Sequence, residues 1–371
     1  MSLFLEIADR WSNKILDTLQ RFPLATLCSF IVTFLLILIV ESNSFVNSNL
    51  MLIVHKVTFV ATLGIVLFPA LHLLSKKIWF KLIGLILLAL YYYFLPLNIL
   101  EPTIMVRHGL LILALSFMFF WAPFMDIRIS NQNIWEWTQN ILLILLADIL
   151  LSLTFYLIFF GTMVSIEHLF GFLLETKHYL QVAILIMGLF SVNYFLGHLP
   201  KYIMLLQKNR YANIGSVFTK YILTPIFFIY LGLLVAYIGK IILEKSWLSV
   251  NIDTFAVGYT IVAIATYMYW TPLWDEANRK FRTLIWGSMF LLSILLGLSI
   301  WLRLELQEIE VYYLMILFSS WLAMMSLYFL FVKEASYKWL FFSISFFIVI
   351  SQSEQLINLS VNLFDKVSTL L

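Results

Sequence analysis

Asp148 is the one charged residue in ILLILLADILLSLTFYLIFFG (141–161), an apolar stretch long enough to cross a bilayer. A carboxylate at that depth can bind a cation, carry a proton, or accept hydrogen bonds that fasten one helix to another. Insertion scales put an Asp at a helix centre at about 2.5–3.5 kcal/mol, which the surrounding leucines outweigh. Insertion is therefore assured, and the open matter is what Asp148 faces.

Depth along a helix follows from its rise. Asp148 lies roughly 10 Å from the inner boundary of its span at about 1.5 Å per residue. Asn193 lies roughly 9 Å from the inner end of the next span, which runs the other way. Thr224 and Pro225 fall about as deep in the span after that. Pro225 has no amide hydrogen and frees a carbonyl one turn earlier, near Tyr221. Thr266 and Tyr267 on the eighth span are expected near the same level.

Two readings of this layer are open. In one, Asp148 is protonated or hydrogen-bonded to Asn193 and ties helices together, worth roughly 0.6–2 kcal/mol. In the other, Asp148, Asn193, Thr224 and Tyr221 line a polar cavity open to the inside, which binds a cation, a proton or a substrate headgroup. A second group lies at an outer corner, where Arg303 stands beside Glu305, Glu308 and Glu310. That corner reads as a solvated turn or as a cation or partner site.

Composition sets the frame that must hold these groups. Of the 371 residues, 63% are hydrophobic and only 12% charged, against roughly 25% charged in a soluble domain. Mean hydropathy is +0.97. Such a chain needs lipid as its solvent. Apolar windows near 23–40, 51–74, 78–96, 108–125, 139–162, 179–199, 218–240, 254–270, 283–301, 311–332 and 336–351 are candidate spans. Backbone amides in hydrocarbon must pair within their own segment, so these are helices rather than strands. The expected fold is all-α, a polytopic transmembrane bundle of about 11 spans (10–11), with the N-terminus inside and the C-terminus outside.

The orientation rests on charge. With the N-terminus inside, sixteen of the 23 Lys and Arg fall on inner segments, as the positive-inside rule requires. Trp79, Trp135, Trp137, Trp247, Trp270, Trp274, Trp301 and Trp339 fall at or near span ends, where an indole prefers the headgroup layer. Residues 1–22 read as an amphipathic interfacial helix, 23–352 as the transmembrane domain, and 353–371 as an amphipathic tail. The outer segment 165–178 is too short to span and is expected to lie at the surface or dip in.

Several chemistries lack their motifs. There is no P-loop, no dinucleotide-binding glycine pattern, no H-E-x-x-H array, no His/Cys cluster and no nucleophile elbow. No cofactor, no metal and no nucleic-acid partner is expected, and soluble catalysis is disfavoured. The single Cys28 lies in an apolar run, which rules out an intrachain disulfide. The first segment has no small-residue cleavage site and is not expected to be a signal peptide.

Three stretches together carry a likeness. They are RFPLATL (21–27), KYILTPIFFIYLGLLVAYIGKII (220–242) and WLRLELQEIEVYYLMILFSSWLAMMSLYFLF (301–331). In these the chain resembles the domain-of-unknown-function 4153 family of bacterial membrane proteins, over about residues 20–350. Arg303 and Tyr312 or Tyr313 match the family pattern, whereas Gln307, Glu308 and Glu310 depart from it in the corner. The resemblance implies a multi-pass protein of the bacterial cytoplasmic membrane and names no activity.

Three functions stay in view. The first is permease-like handling of a small solute or ion at the Asp148 layer. The second is a non-catalytic scaffold or sensing subunit whose protein partner binds inner loop 199–215. The third is an intramembrane enzyme acting on a lipid-linked substrate, for which only the Glu305–Glu310 corner offers paired acids. Apart from such partners, the surroundings of the chain are the lipid bilayer.

Overall fold

The computed structural model describes residues 14, 16–41, 48–96, 101–127, 129–171, 174–200, 213–244, 252–273, 279–304 and 309–352. Among these residues every regular element is helical. Eleven helices carry the fold: α1 (Pro23–Glu41), α2 (Ser48–Leu74), α3 (Ile78–Phe94), α4 (Pro102–Trp121), α5 (Asn131–Phe170), α6 (Thr176–His198), α7 (Gly215–Ile241), α8 (Ile252–Tyr269), α9 (Arg279–Leu304), α10 (Ile309–Phe331) and α11 (Tyr337–Ile350).

Among the described residues, nine helices are long and apolar enough to cross a membrane. The two others, α3 with 17 residues and α11 with 14, rise only about 25 and 21 Å at 1.5 Å per residue. That falls short of a hydrocarbon core of about 30 Å. Both are nonetheless apolar, and α3 exposes Ile78, Ile83, Ile86, Tyr93 and Phe94. Lipid, not water, suits such a surface.

Punctuation is read directly from the sequence. Pro96 follows the end of α3, and Pro102 occupies the first turn of α4, where its missing amide is no loss. The α5 helix, with 40 residues, exceeds its predicted span. It runs through 165–170 instead of leaving a surface loop there, because no proline interrupts it and Gly161 is carried within it. Gly171 ends it in the left-handed region (φ 69), and its amide donates to the Glu167 carbonyl at 3.0 Å.

The chain forms two compact units. Met1–Arg128 and Trp137–Leu205 make the first; Ile129–Glu136 and Leu206–Leu371 make the second.

In the first unit α1 packs on α2 and on α6, and α2 packs on α3 and α4. The close approaches fall on small residues, which let backbones come together where no hydrophobic effect drives association. A Cβ added at Gly64 would lie 2.6 Å from the Cys28 sulfur. One added at Gly188 would collide with Thr33 Oγ1. The α1 and α6 helices run antiparallel: the stretch before α1 brings Thr18 to Gly197, Thr33 meets Gly188, and Glu41 accepts from Lys177 at 3.3 Å and Gln181 at 2.9 Å.

The second unit is built on aromatic rings. Trp286 stacks on Phe329 with centroids 4.1 Å apart. Tyr267 stands edge-on to Trp286, Phe329 and Tyr337. The Arg282 guanidinium donates to the carbonyls of Phe329, Val332 and Lys333, which are left open as α10 ends. Asn131 Nδ2 donates to the Ala335 carbonyl at 2.7 Å, and its Oδ1 accepts from the Tyr337 amide at 3.0 Å.

The tryptophans divide. Trp79, Trp301 and Trp339 are exposed near helix ends, as a headgroup belt requires. Trp135 and Trp137 are buried instead. Trp137 has a protein acceptor for its indole N–H, the Phe119 carbonyl at 2.8 Å, so it does not need the interface. Residues 1–13 of the expected interfacial helix and the tail 353–371 lie outside the described residues.

Candidate functional site

Asp148 sits two turns beyond Asn140 on α5 and is 4% exposed. Its Oδ2 accepts from Ser191 Oγ at 2.7 Å, and its Oδ1 accepts from Ser152 Oγ at 3.3 Å, one turn along the same helix. Ser191 closes a π-helical turn inside α6, Ile186–Ser191. Such a turn inserts an extra residue into the helical repeat and re-aims the side chains beyond it.

The expected pair of Asp148 with Asn193 therefore does not form. Asn193 turns back on its own helix and donates to the Leu189 carbonyl at 2.7 Å. Ser191, at the end of the π turn, stands where depth placed the asparagine.

Thr224 and Tyr221 belong to the second unit. Thr224 Oγ1 donates to the Thr219 carbonyl at 2.7 Å and accepts from the Trp270 indole at 2.9 Å. Pro225 does disturb its helix as expected: a second π turn, Thr219–Leu223, precedes it. Tyr221 lies in that turn with its side chain 74% exposed. Thr266 is buried and donates to Val262, while Tyr267 belongs to the Trp286 cluster. Asp148 and Thr224 each find their hydrogen-bond partners within their own unit.

A cleft of about 400 Å³ lies in the first unit between the stretch entering α1 and α6. Lys14, Thr18, Phe30, Leu189, Asn193 and His198 are among its walls. His198 Nδ1 donates to the Tyr194 carbonyl at 2.7 Å, which leaves its Nε2 lone pair to accept from the Lys14 ammonium. Partial burial lowers the Lys14 pKa from its ordinary value. Arg21 closes this end of the helix by donating to the carbonyls of Leu199 at 2.6 Å and Pro200 at 2.9 Å.

Ser152, Ser191, Lys14 and His198 were not among the residues expected from sequence. Ser152 had a legible signal, since it lies four residues after Asp148 on one helical face. The contact of Lys14 with His198 had none, because it joins positions far apart in the chain. Of the outer corner, Glu305 and Glu308 lie outside the described residues, as do the side chains of Arg303 and Glu310. Among the described residues no three His, Cys, Asp or Glu side chains converge as a metal site would require.

No protein-family model matches the chain, and neither a curated protein nor a solved structure does.

Proposed function

We propose that this chain is a permease-like protein of the bacterial cytoplasmic membrane, with about eleven spans and its N-terminus inside, that handles a small solute or ion around Asp148. Membership of the domain-of-unknown-function 4153 family is part of the proposal and rests on RFPLATL, the Lys220-led helix and the Arg303 corner with its tyrosine-led span. The observation that carries the reading is the delivery of Ser191 to a buried Asp148 by a π turn. Such turns are rare and occur frequently at functional sites. A cleft lies beside the same helix, with Asn193 and His198 among its walls.

The alternative is a scaffold or sensing subunit. It is favoured by a specific fact: both oxygens of Asp148 already have hydroxyl partners, as helix fastening requires. Its partner surface would be inner loop 199–215, of which 201–212 lie outside the described residues.

Cysteine labelling separates the two. With Cys28 replaced by alanine, single cysteines at 148, 191 and 193 are labelled in membranes by a small impermeant thiol reagent added from either side. Fast labelling at 191 and 193 from the inside alone is the expected result. Silence at all three positions from both sides would discard the permease reading in favour of the scaffold. Asp148→Asn gives a second check, because the amide can keep both serines as partners. Its thermal midpoint should change by less than the equivalent of about 1 kcal/mol, while solute or ion handling is lost.

A further inference from the structure

We infer that the cleft between the start of α1 and α6 holds one acyl chain and the phosphate of an anionic phospholipid, drawn from the leaflet at its Lys14 end. The inference is independent of whether Asp148 handles a solute. It requires only that these helices lie in a bilayer.

Polarity is distributed unevenly along the cleft. Because α1 and α6 are antiparallel, with Thr18 at Gly197 and Thr33 at Gly188, positions on the two helices can be ordered along one axis. At one end stand Lys14, Thr18, Asn193 and His198. At the other stand Phe30, Leu185, Ile186 and Leu189. The cleft is therefore amphiphilic lengthwise, cationic at its mouth and apolar in its body. A small polar solute would leave the body unfilled, and a wholly apolar one would leave the ammonium without an anion.

The mouth is suited to phosphate. Lys14 is exposed, and the His198 imidazole accepts one of its protons, which leaves two for a ligand. His198 cannot rotate freely, since Nδ1 is held by the Tyr194 carbonyl. The acid nearest in sequence, Asp17, does not line the cleft. It acts on Arg21, whose pKa burial lowers and Asp17 opposes. An anion at Lys14 thus meets the ammonium directly, while the Asp148 carboxylate acts on the neighbouring His198.

The body is suited to a lipid chain entering sideways. Phe30 and Leu185 are exposed on the flank of the unit, so the apolar part opens to where lipid tails run. A volume of about 400 Å³ is at the small end of ligand pockets, enough for one chain rather than a whole two-chain lipid. The second chain would remain in the bilayer. A zwitterionic lipid brings a choline ammonium to the same mouth, where it opposes Lys14, so the site should select net negative headgroups.

The test uses the purified full-length protein in nonionic detergent, titrated with dioleoylphosphatidylglycerol, dioleoylphosphatidylcholine or inorganic phosphate. Bound lipid is counted by intact-protein mass spectrometry, and the thermal midpoint is followed in parallel. Phosphatidylglycerol should bind about tenfold more tightly than phosphatidylcholine and raise the midpoint, as one charge-assisted contact predicts. Phosphate alone should do neither. Lys14→Gln should weaken phosphatidylglycerol about tenfold, and Lys77→Gln, an exposed lysine elsewhere, should leave it unchanged. Leu189→Trp, which fills the body, should displace the lipid; Lys14→Glu tests the charge alone if that variant folds poorly. Equal binding of the two lipids, or an unaffected Lys14→Gln, overturns the inference. If phosphate reproduces the stabilisation, the site is one for a free anion and the lipid assignment falls. Because Asn193 lines the cleft and Ser191 does not, cysteine labelling at 191 is the readout of the Asp148 centre that is separate from this test.

Discussion

Arg282→Met is expected to lower the stability of the second unit by about 2–4 kcal/mol, counting two charged hydrogen bonds at 1.5–3 each and discounting for partial exposure. The guanidinium reaches three carbonyls at once, those of Phe329, Val332 and Lys333. These close the end of α10, where the helix has no amides left to offer its last carbonyls. Methionine keeps most of the apolar stem and removes every donor, so the loss isolates the capping role. Arg282→Lys should recover about half, because a single ammonium lacks the planar fork that serves several acceptors. The measurement is the thermal midpoint in detergent. An unchanged midpoint in Arg282→Met would mean that water or headgroups serve those carbonyls equally well.

Sequence made the helices plain because hydrocarbon leaves the backbone no alternative. The window that ended at Pro96 matches a helix ending at Phe94, whereas the next window, begun at 108, missed the turn and a half that Pro102 opens. The reading failed where the answer depended on neighbours rather than on local pattern. Trp135 and Trp137 have the positions of belt residues, yet they are buried, because packing partners exist that no window can reveal. Depth counting has a similar limit. It ranks Asp148, Asn193 and Thr224 along the membrane normal but carries no information on which bundle each helix joins. In the structure the partner of Asp148 is Ser191, the last residue of the π turn Ile186–Ser191, and not Asn193. No propensity in IMGLFS announces that turn; it becomes intelligible only beside α1.

The crossing with α1 is where the largest effect in the first unit is expected. Gly188 sits within the π turn, its carbonyl accepts from Ser29 Oγ, and its missing side chain leaves room for Thr33. Thr33 cannot yield easily. It is buried, its branched side chain has few rotamers, and its Oγ1 donates to the Ser29 carbonyl at 2.8 Å. Gly188→Ala should therefore cost about 1–3 kcal/mol, the usual range for overpacking, and Gly188→Leu more. The consequence reaches the candidate site, because pushing α6 from α1 moves the turn that aims Ser191 at Asp148. Labelling of a cysteine at 191 should change together with the thermal midpoint in Gly188→Ala. Thr33→Ala removes the colliding oxygen, so adding it to Gly188→Ala should restore most of both readouts, a coupling that a double-mutant cycle measures directly. If the two substitutions prove additive, α1 does not hold the π turn in place, and the turn must be intrinsic to α6.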